Sequence, residues 1–175
     1  MHIDEVKALA MRAHGDAAVR EELFAAMERR RPAGNTDALI DAGETPAREP
    51  YLAAWALTHL PPSDNVHIAA HRAELVDFAI AVEDTSLRRL ALALLERLEW
   101  PEGEVRADLL DFALQHLMDP READGVRSLC IKLAYAQCRH YEELRGELRQ
   151  SLLMLDQALL QPSVKHVRNK ILNLL

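Results

Sequence analysis

The chain is poor in aromatic residues, glycine and cysteine. Only 5% of its 175 residues are Phe, Trp or Tyr, and it contains six Gly and two Cys. Strands favour aromatic and β-branched residues, so this composition argues against a fold built on a sheet. The 49% of hydrophobic residues are mostly Leu and Ala, which are strong helix formers. The sequence therefore predicts an all-α protein.

Long apolar runs are also missing. No stretch of about 18 uncharged apolar residues occurs, which excludes a predicted membrane-spanning helix. The first residues carry Asp4 and Glu5 with no apolar segment after them, so we expect a cytoplasmic protein. Cys130 and Cys138 lie eight residues apart on one predicted helix, about 12 Å along its axis, too far to pair. They are expected to be buried, reduced thiols.

Charge is unevenly distributed along the chain. The net charge is −7, but residues 121–175 hold nine basic and six acidic side chains, whereas residues 1–120 hold 12 basic and 22 acidic. An anionic partner would be drawn to the C-terminal third. The alternative, that the segregation reflects only which solvent-exposed faces fall where, stays open.

One nine-residue stretch occurs twice. Residues 72–80 (RAELVDFAI) and 106–114 (RADLLDFAL) share six of nine positions, and the core pattern Arg-x-acid-Leu recurs at Arg20 and Arg145. A repeat of roughly 35 to 40 residues is typical of stacked helical units. The sequence predicts a single domain over residues 1–175, with a capping helix at 1–15 followed by four helix pairs at 16–60, 61–99, 100–138 and 139–175.

The second helices of these pairs align at offsets of 38 or 39 residues. The alignment places two rows on the inward face, Leu52, Leu90, Leu129 and Val167 in one and Ala56, Leu94, Leu133 and Ile171 in the other. In the less regular segment before Pro50, a short helix is predicted from Thr36 to Ala42.

Residues 84–91 (DTSLRRLA) resemble the turn and second-helix start of HEAT and armadillo-like repeats, in which an Asp precedes a Val-Arg-x-x-Ala run. Residues 126–130 (VRSLC) and 164–168 (VKHVR) are further copies. The resemblance covers about residues 16–175. It implies a right-handed α-α superhelix of about four HEAT-like helix pairs, and a role as a non-catalytic scaffold for protein–protein interaction in an unknown pathway.

The C-terminal third, from Arg127 to Leu172, also resembles small uncharacterised bacterial proteins sometimes labelled adenylosuccinate lyase-related. Lyases of that superfamily are much longer and carry a Ser-Ser-x-Met-Pro-x-Lys-x-Asn loop, which this sequence lacks. The activity is therefore not carried over to this chain.

The resemblance makes the second helices the concave wall of the repeat, and this wall is the candidate binding surface. Stacking would align Arg88, Arg127 and Lys165 in one basic row, and Trp55, Ala93, Lys132 and Lys170 in another. Cations with Trp and Tyr are typical of binding hot spots for an acidic segment. The predicted protein-binding residues are Trp55, Arg88, Arg89, Arg127, Lys132, Tyr135, Lys165 and Arg168. The alternative for Arg88 and Arg127 is a structural bond to the Asp of the preceding turn, Asp84 or Asp119.

Catalytic, metal and cofactor sites find no support in the sequence. It has no Gly-rich phosphate loop and no Gly-x-Ser-x-Gly motif. His67 and His71 are spaced for a shared metal ion on one helix, but no third ligand is identifiable, and a solvated helix surface explains the pair. The alternative functions are an enzyme or enzyme subunit built on this helical repeat, and a nucleic-acid binder resembling the HEAT-like DNA glycosylases. A sequence pI near 5.6 argues against the nucleic-acid binder.

The last residues are apolar. Val167, Ile171, Leu172, Leu174 and Leu175 end on a helix without a polar cap. An uncovered apolar face predicts association, here a homodimer through the C-terminal helix or the docking of another protein there. The alternative is that Leu174 and Leu175 fold back onto the helix that starts near Tyr141.

Overall fold

A computed structural model describes residues 3–29 and 48–175, and over these residues the protein is all-α. Its helices are α1 (Ile3–Gly15), α2 (Ala17–Glu28), α3 (Arg48–Thr58), α4 (Asn65–Ala70), α5 (Arg72–Ala81), α6 (Thr85–Glu96), α7 (Ala107–Met118), α8 (Asp124–Cys138), α9 (Glu142–Met154) and α10 (Pro162–Leu172). A 3-10 turn, Pro62–Asp64, precedes α4. The helix predicted from Thr36 to Ala42 lies outside the described residues. None of the helices in the described ranges is long and apolar enough to cross a membrane.

The chain divides into two compact units, residues 1–70 and 71–175. In the first unit, α1, α2 and α3 pack against one another. Val6, Ala10 and Ala13 of α1 are buried, as their spacing predicts. Asp16 caps α2 by accepting a hydrogen bond from the Ala18 backbone N–H at 2.8 Å. The caps and periodicity of the sequence therefore define these two helices.

The second unit has two layers of helices. The first-helix layer consists of α5, α7 and α9, and the second-helix layer consists of α6, α8 and α10; neighbours within each layer are in contact. Between the layers, α5 packs on α6, α7 on α8, and α9 on both α8 and α10. The helix α8 contacts members of both layers, which explains why its Val126, Cys130, Ile131 and Leu133 are all fully buried.

The repeated sequence positions form the core. Leu75, Leu109 and Leu148 of the Arg-x-acid-Leu pattern are fully buried, and Leu23 is 6% exposed. The aligned row Ala56, Leu94, Leu133 and Ile171 is buried as predicted. The other row is less uniform, because only Leu90 is buried while Leu52, Leu129 and Val167 are half-buried. In α8 the buried arc is centred on Cys130 and Ala134, and Leu129 falls beyond its edge, next to Leu133.

Two turns set the local structure at residues that the sequence analysis singled out. Asp84 caps α6 through its side chain, which accepts a hydrogen bond from the Leu87 backbone N–H at 2.9 Å. At His71 the backbone leaves helical geometry, with φ −100° and ψ 18°, between α4 and α5. His67 and His71 therefore do not occupy one continuous helix, contrary to the sequence prediction.

Candidate functional site

Two of the predicted binding arginines are internal. Arg127 is 6% exposed and Arg168 is 2% exposed. Arg127 donates from Nε and Nη2 to the Leu117 carbonyl oxygen, both at 3.2 Å, and Arg168 Nε donates to the Leu152 carbonyl oxygen at 2.7 Å. Each acceptor lies in the last turn of the preceding first helix, where carbonyl groups have no partner within the helix. These arginines join the two helices of a pair.

Arg88 makes the same kind of contact. Its Nη2 donates to the Val82 carbonyl oxygen at 2.6 Å, at the C-terminal end of α5. In the first unit, Arg20 of α2 donates to the Ala13 carbonyl oxygen at 2.7 Å, near the end of α1. We call Arg20, Arg88, Arg127 and Arg168 the carbonyl-binding arginines. The contact is favourable because a cation lies against the negative end of the helix dipole.

The structural bonds predicted for Arg88 and Arg127 are real, but their predicted acceptors were wrong. Asp84 caps α6 instead, and Asp119 pairs with Arg121 at 3.0 Å. This pairing holds the pKa of Asp119 below its usual range. Because Asp84 and Asp119 already bind local partners, Arg88 and Arg127 instead bind carbonyl groups at the C-terminal end of the preceding helix.

Arg88 also belongs to a polar cluster that sequence reasoning missed. Glu122, in the turn before α8, accepts a hydrogen bond from His116 Nδ1 at 2.5 Å and lies 3.6 Å from Arg88 Nη1. The His116 ring stacks on Phe112 with centroids 4.0 Å apart. The Glu122 side chain is only 9% exposed, so this cluster fixes the turn to α6 and α7 and is not open to a ligand. His116 is partly exposed.

The remaining cations of the second-helix layer face solvent. Arg89 of α6 and Lys165 and Lys170 of α10 are exposed. Lys132 of α8 is 40% exposed and donates to Glu96 Oε1 at 3.0 Å. Tyr135, one turn beyond Lys132, is half-buried. We call Arg89, Lys132, Tyr135, Lys165 and Lys170 the second-helix surface.

Trp55 belongs to the first unit. It is half-buried on α3 between Tyr51 and His59, with ring centroids 5.9 Å and 5.8 Å away. These three rings, at a spacing of four residues, form one aromatic stripe along α3 and the turn that follows it. The structure thus describes Trp55 as part of a local stripe, and its predicted role in binding stays a prediction.

Cys130 and Cys138 are both buried and unpaired. Burial raises the pKa of the Cys130 thiol to about 12 and the pKa of the Cys138 thiol to about 11, so neither forms a thiolate near neutral pH. Among residues 3–29 and 48–175, no group of three or more His, Cys, Asp or Glu side chains could hold a metal ion.

The apolar C-terminal residues are mostly covered. Ile171 is 4% exposed, and Leu174 is 50% exposed. Larger exposed fractions occur just before α10, at Leu153 (51%), Met154 (74%) and Leu159 (79%). The homodimer through α10 stays a prediction, and the most exposed apolar side chains of this part of the chain lie at the end of α9 and in the turn after it.

Paired helices with a recurring core position and a recurring arginine bond define a helical repeat. The family model of the HEAT repeat domain matches residues 1–175. The chain belongs to this family. No curated protein and no solved structure matches it at a significant level. HEAT repeats commonly mediate protein–protein interactions, because stacked helices present extended surfaces to a partner.

Within this HEAT repeat protein, some signals for the missed residues were present in the sequence. Glu122 lies in the turn between α7 and α8, which is longer than the turn between α5 and α6, and an acid in such an insert can reach a neighbouring repeat. Arg20 and Arg168 stand on helices near a preceding helix end, as Arg88 and Arg127 do. Their chain separation from the acceptor varies from six to 16 residues, so no fixed spacing reveals them.

Proposed function

We propose that this HEAT repeat protein is a non-catalytic interaction module whose second-helix surface binds an acidic segment of a partner protein. The observation that carries this proposal is the opposite charge of the two layers in residues 71–175. The first-helix layer holds seven acidic and three basic side chains, whereas the second-helix layer holds seven basic and two acidic side chains. Charge segregated by layer favours a partner of opposite charge on each.

The second-helix layer stays basic when its internal arginines are left out of the charge count. Arg88, Arg127 and Arg168 bind backbone carbonyl groups and are not available to a ligand. The layer then still has more basic than acidic side chains. The basic ones are Arg89, Lys132, Lys165 and Lys170, and the acidic ones are Glu96 and Asp124. The helix α10 carries no acidic residue at all. Tyr135 supplies an aromatic surface beside Lys132, of the kind that is enriched at the centre of interfaces.

A partner with carboxylates fits better than a nucleic acid. Nucleic-acid affinity depends on several phosphate contacts and is typical of strongly basic domains. Here the surface offers four accessible cations on a chain with a net charge of −7.

Two buried, unpaired thiols also support the expectation of a reducing compartment such as the cytoplasm.

The test is a binding titration with fluorescein-labelled hexaglutamate, followed by fluorescence anisotropy. The surface variant carries Arg89→Glu and Lys165→Glu. The matched control carries Arg12→Glu and Arg149→Glu, which change the net charge equally but lie on α1 and α9, where both arginines are exposed. We expect the surface variant to bind about tenfold more weakly or worse, and the control to bind nearly as the wild type does.

Two results would overturn the proposal. Equal weakening in both variants would mean that only net charge matters. Tighter binding of a labelled DNA oligonucleotide than of hexaglutamate, with a steep loss at higher salt, would assign the surface to nucleic acid.

A further inference from the structure

One acidic side chain lies within the second-helix surface. Glu96, the last residue of α6, places its Oε1 3.0 Å from Lys132 Nζ of α8. Both side chains are open to solvent, with Glu96 37% and Lys132 40% exposed. The only other acid in α6, α8 and α10 is Asp124, the first residue of α8, where a carboxylate is favourable to the helix dipole. Glu96 has no such role, because it stands at a helix C-terminus.

We infer that Glu96 competes with acidic ligands for Lys132. This competition weakens the binding of acidic ligands and favours those with several neighbouring carboxylates. This inference rests on the proposed function of the second-helix surface. A solvent-exposed ion pair is held only weakly, so an incoming carboxylate can displace Glu96 from Lys132 or share the lysine with it. The displaced carboxylate stays on α6 and repels the ligand.

The geometry explains the selectivity. A ligand with a single carboxylate gains one contact at Lys132 and faces Glu96 at close range. Arg89 lies seven residues before Glu96 on α6, about 10 Å along the helix axis. A ligand with several adjacent carboxylates can therefore also contact Arg89, so its affinity depends less on Lys132 and is lowered less by Glu96. Specificity obtained through a repulsive group is a common device of selective interfaces.

The test compares Glu96→Gln with Glu83→Gln by anisotropy of labelled hexaglutamate and of a labelled peptide with one Glu. Glu83 is exposed in the turn between α5 and α6, so its substitution is matched in charge and differs in place. We expect Glu96→Gln to tighten binding about two- to fivefold for hexaglutamate, and by a larger factor for the single-Glu peptide. The Glu83→Gln variant should stay within about 1.5-fold of the wild type.

A double-mutant cycle with Lys132→Gln identifies the lysine as the shared group. In the Lys132→Gln background, the additional Glu96→Gln change should lose most of its effect. Thermal melting of each variant shows that it is folded.

The outcomes separate this inference from the proposed function. Surface-dependent binding by the wild type with no gain in Glu96→Gln overturns the inference and leaves the proposed function standing. Binding by Glu96→Gln but not by the wild type supports both. If neither chain binds hexaglutamate in a manner that depends on Arg89 and Lys165, both are overturned.

Discussion

Replacing Arg127 by Met tests whether the carbonyl-binding arginines stabilise the fold. Met keeps most of the apolar stem of the side chain and removes the guanidinium donors. The substitution takes two hydrogen bonds from the Leu117 carbonyl oxygen, at a position where the arginine is 6% exposed. Losing a charged donor to a buried acceptor costs about 1.5 to 3 kcal/mol.

An opposing effect reduces the loss of stability that is expected for Arg127→Met. Arg127 is a buried cation, and removing a buried charge relieves its desolvation cost. If the carbonyl bonds dominate, the free energy of unfolding falls by about 1.5 to 3 kcal/mol. If desolvation dominates, the Met variant is as stable as the wild type or more stable.

Urea unfolding followed by circular dichroism distinguishes the two. With a slope of about 2 kcal/mol per molar urea, the expected loss lowers the midpoint by about 0.7 to 1.5 M. Lys165→Met is the control, because Lys165 is exposed at the position aligned with Arg127 in the sequence, and its change should stay within about 0.5 kcal/mol. A loss below about 0.5 kcal/mol for Arg127→Met would refute the stabilising role.

Three further predictions concern the core, a helix cap and the thiols. Phe112→Ala removes a ring that is 8% exposed and stacked on His116, and should cost about 3 to 5 kcal/mol in urea unfolding; less than about 1 kcal/mol would contradict its core position. Asp84→Ala removes the α6 cap and should cost about 1 kcal/mol, whereas Glu83→Ala beside it should cost almost nothing. Cys130 and Cys138 should react with Ellman's reagent at pH 8 only after unfolding, because burial raises both pKa values; rapid labelling of the folded chain would show that they are accessible.

The sequence predicted what depends on periodicity and local chemistry. The buried Leu75, Leu109 and Leu148 follow from a pattern repeated along the chain, and the caps Asp16 and Asp84 follow from residue type at a helix start. Both kinds of signal are local, because a helix has a fixed period and its first N–H groups need an acceptor.

The binding surface was harder to predict, because it depends on which side chains make internal contacts and which stay exposed. Arg88 and Arg89 are adjacent and identical in type, yet Arg88 binds the Val82 carbonyl oxygen and Arg89 is exposed. Sequence alignment placed Lys165 with Arg127, whereas the structure gives the buried carbonyl contact to Arg168. A backbone acceptor leaves no trace in residue type, so only the packed helices distinguish these arginines.

This distinction changes the choice of variants. Reversing the charge of Arg88 or Arg127 would place a carboxylate against a helix C-terminus and disrupt the fold. Arg89, Lys132 and Lys170 can be reversed with less damage, because they are exposed or half-exposed.

The most direct test of the central claim is a pull-down from the native cell lysate with three folded baits. These are the wild type, a surface variant with Arg89→Glu, Lys132→Glu and Lys170→Glu, and a control with Arg12→Glu, Lys7→Glu and Arg149→Glu. We expect a partner protein that is retained by the wild type and the control and lost by the surface variant, and whose binding segment is acidic. Recovery of the same proteins by all three baits would contradict a binding role for the second-helix surface.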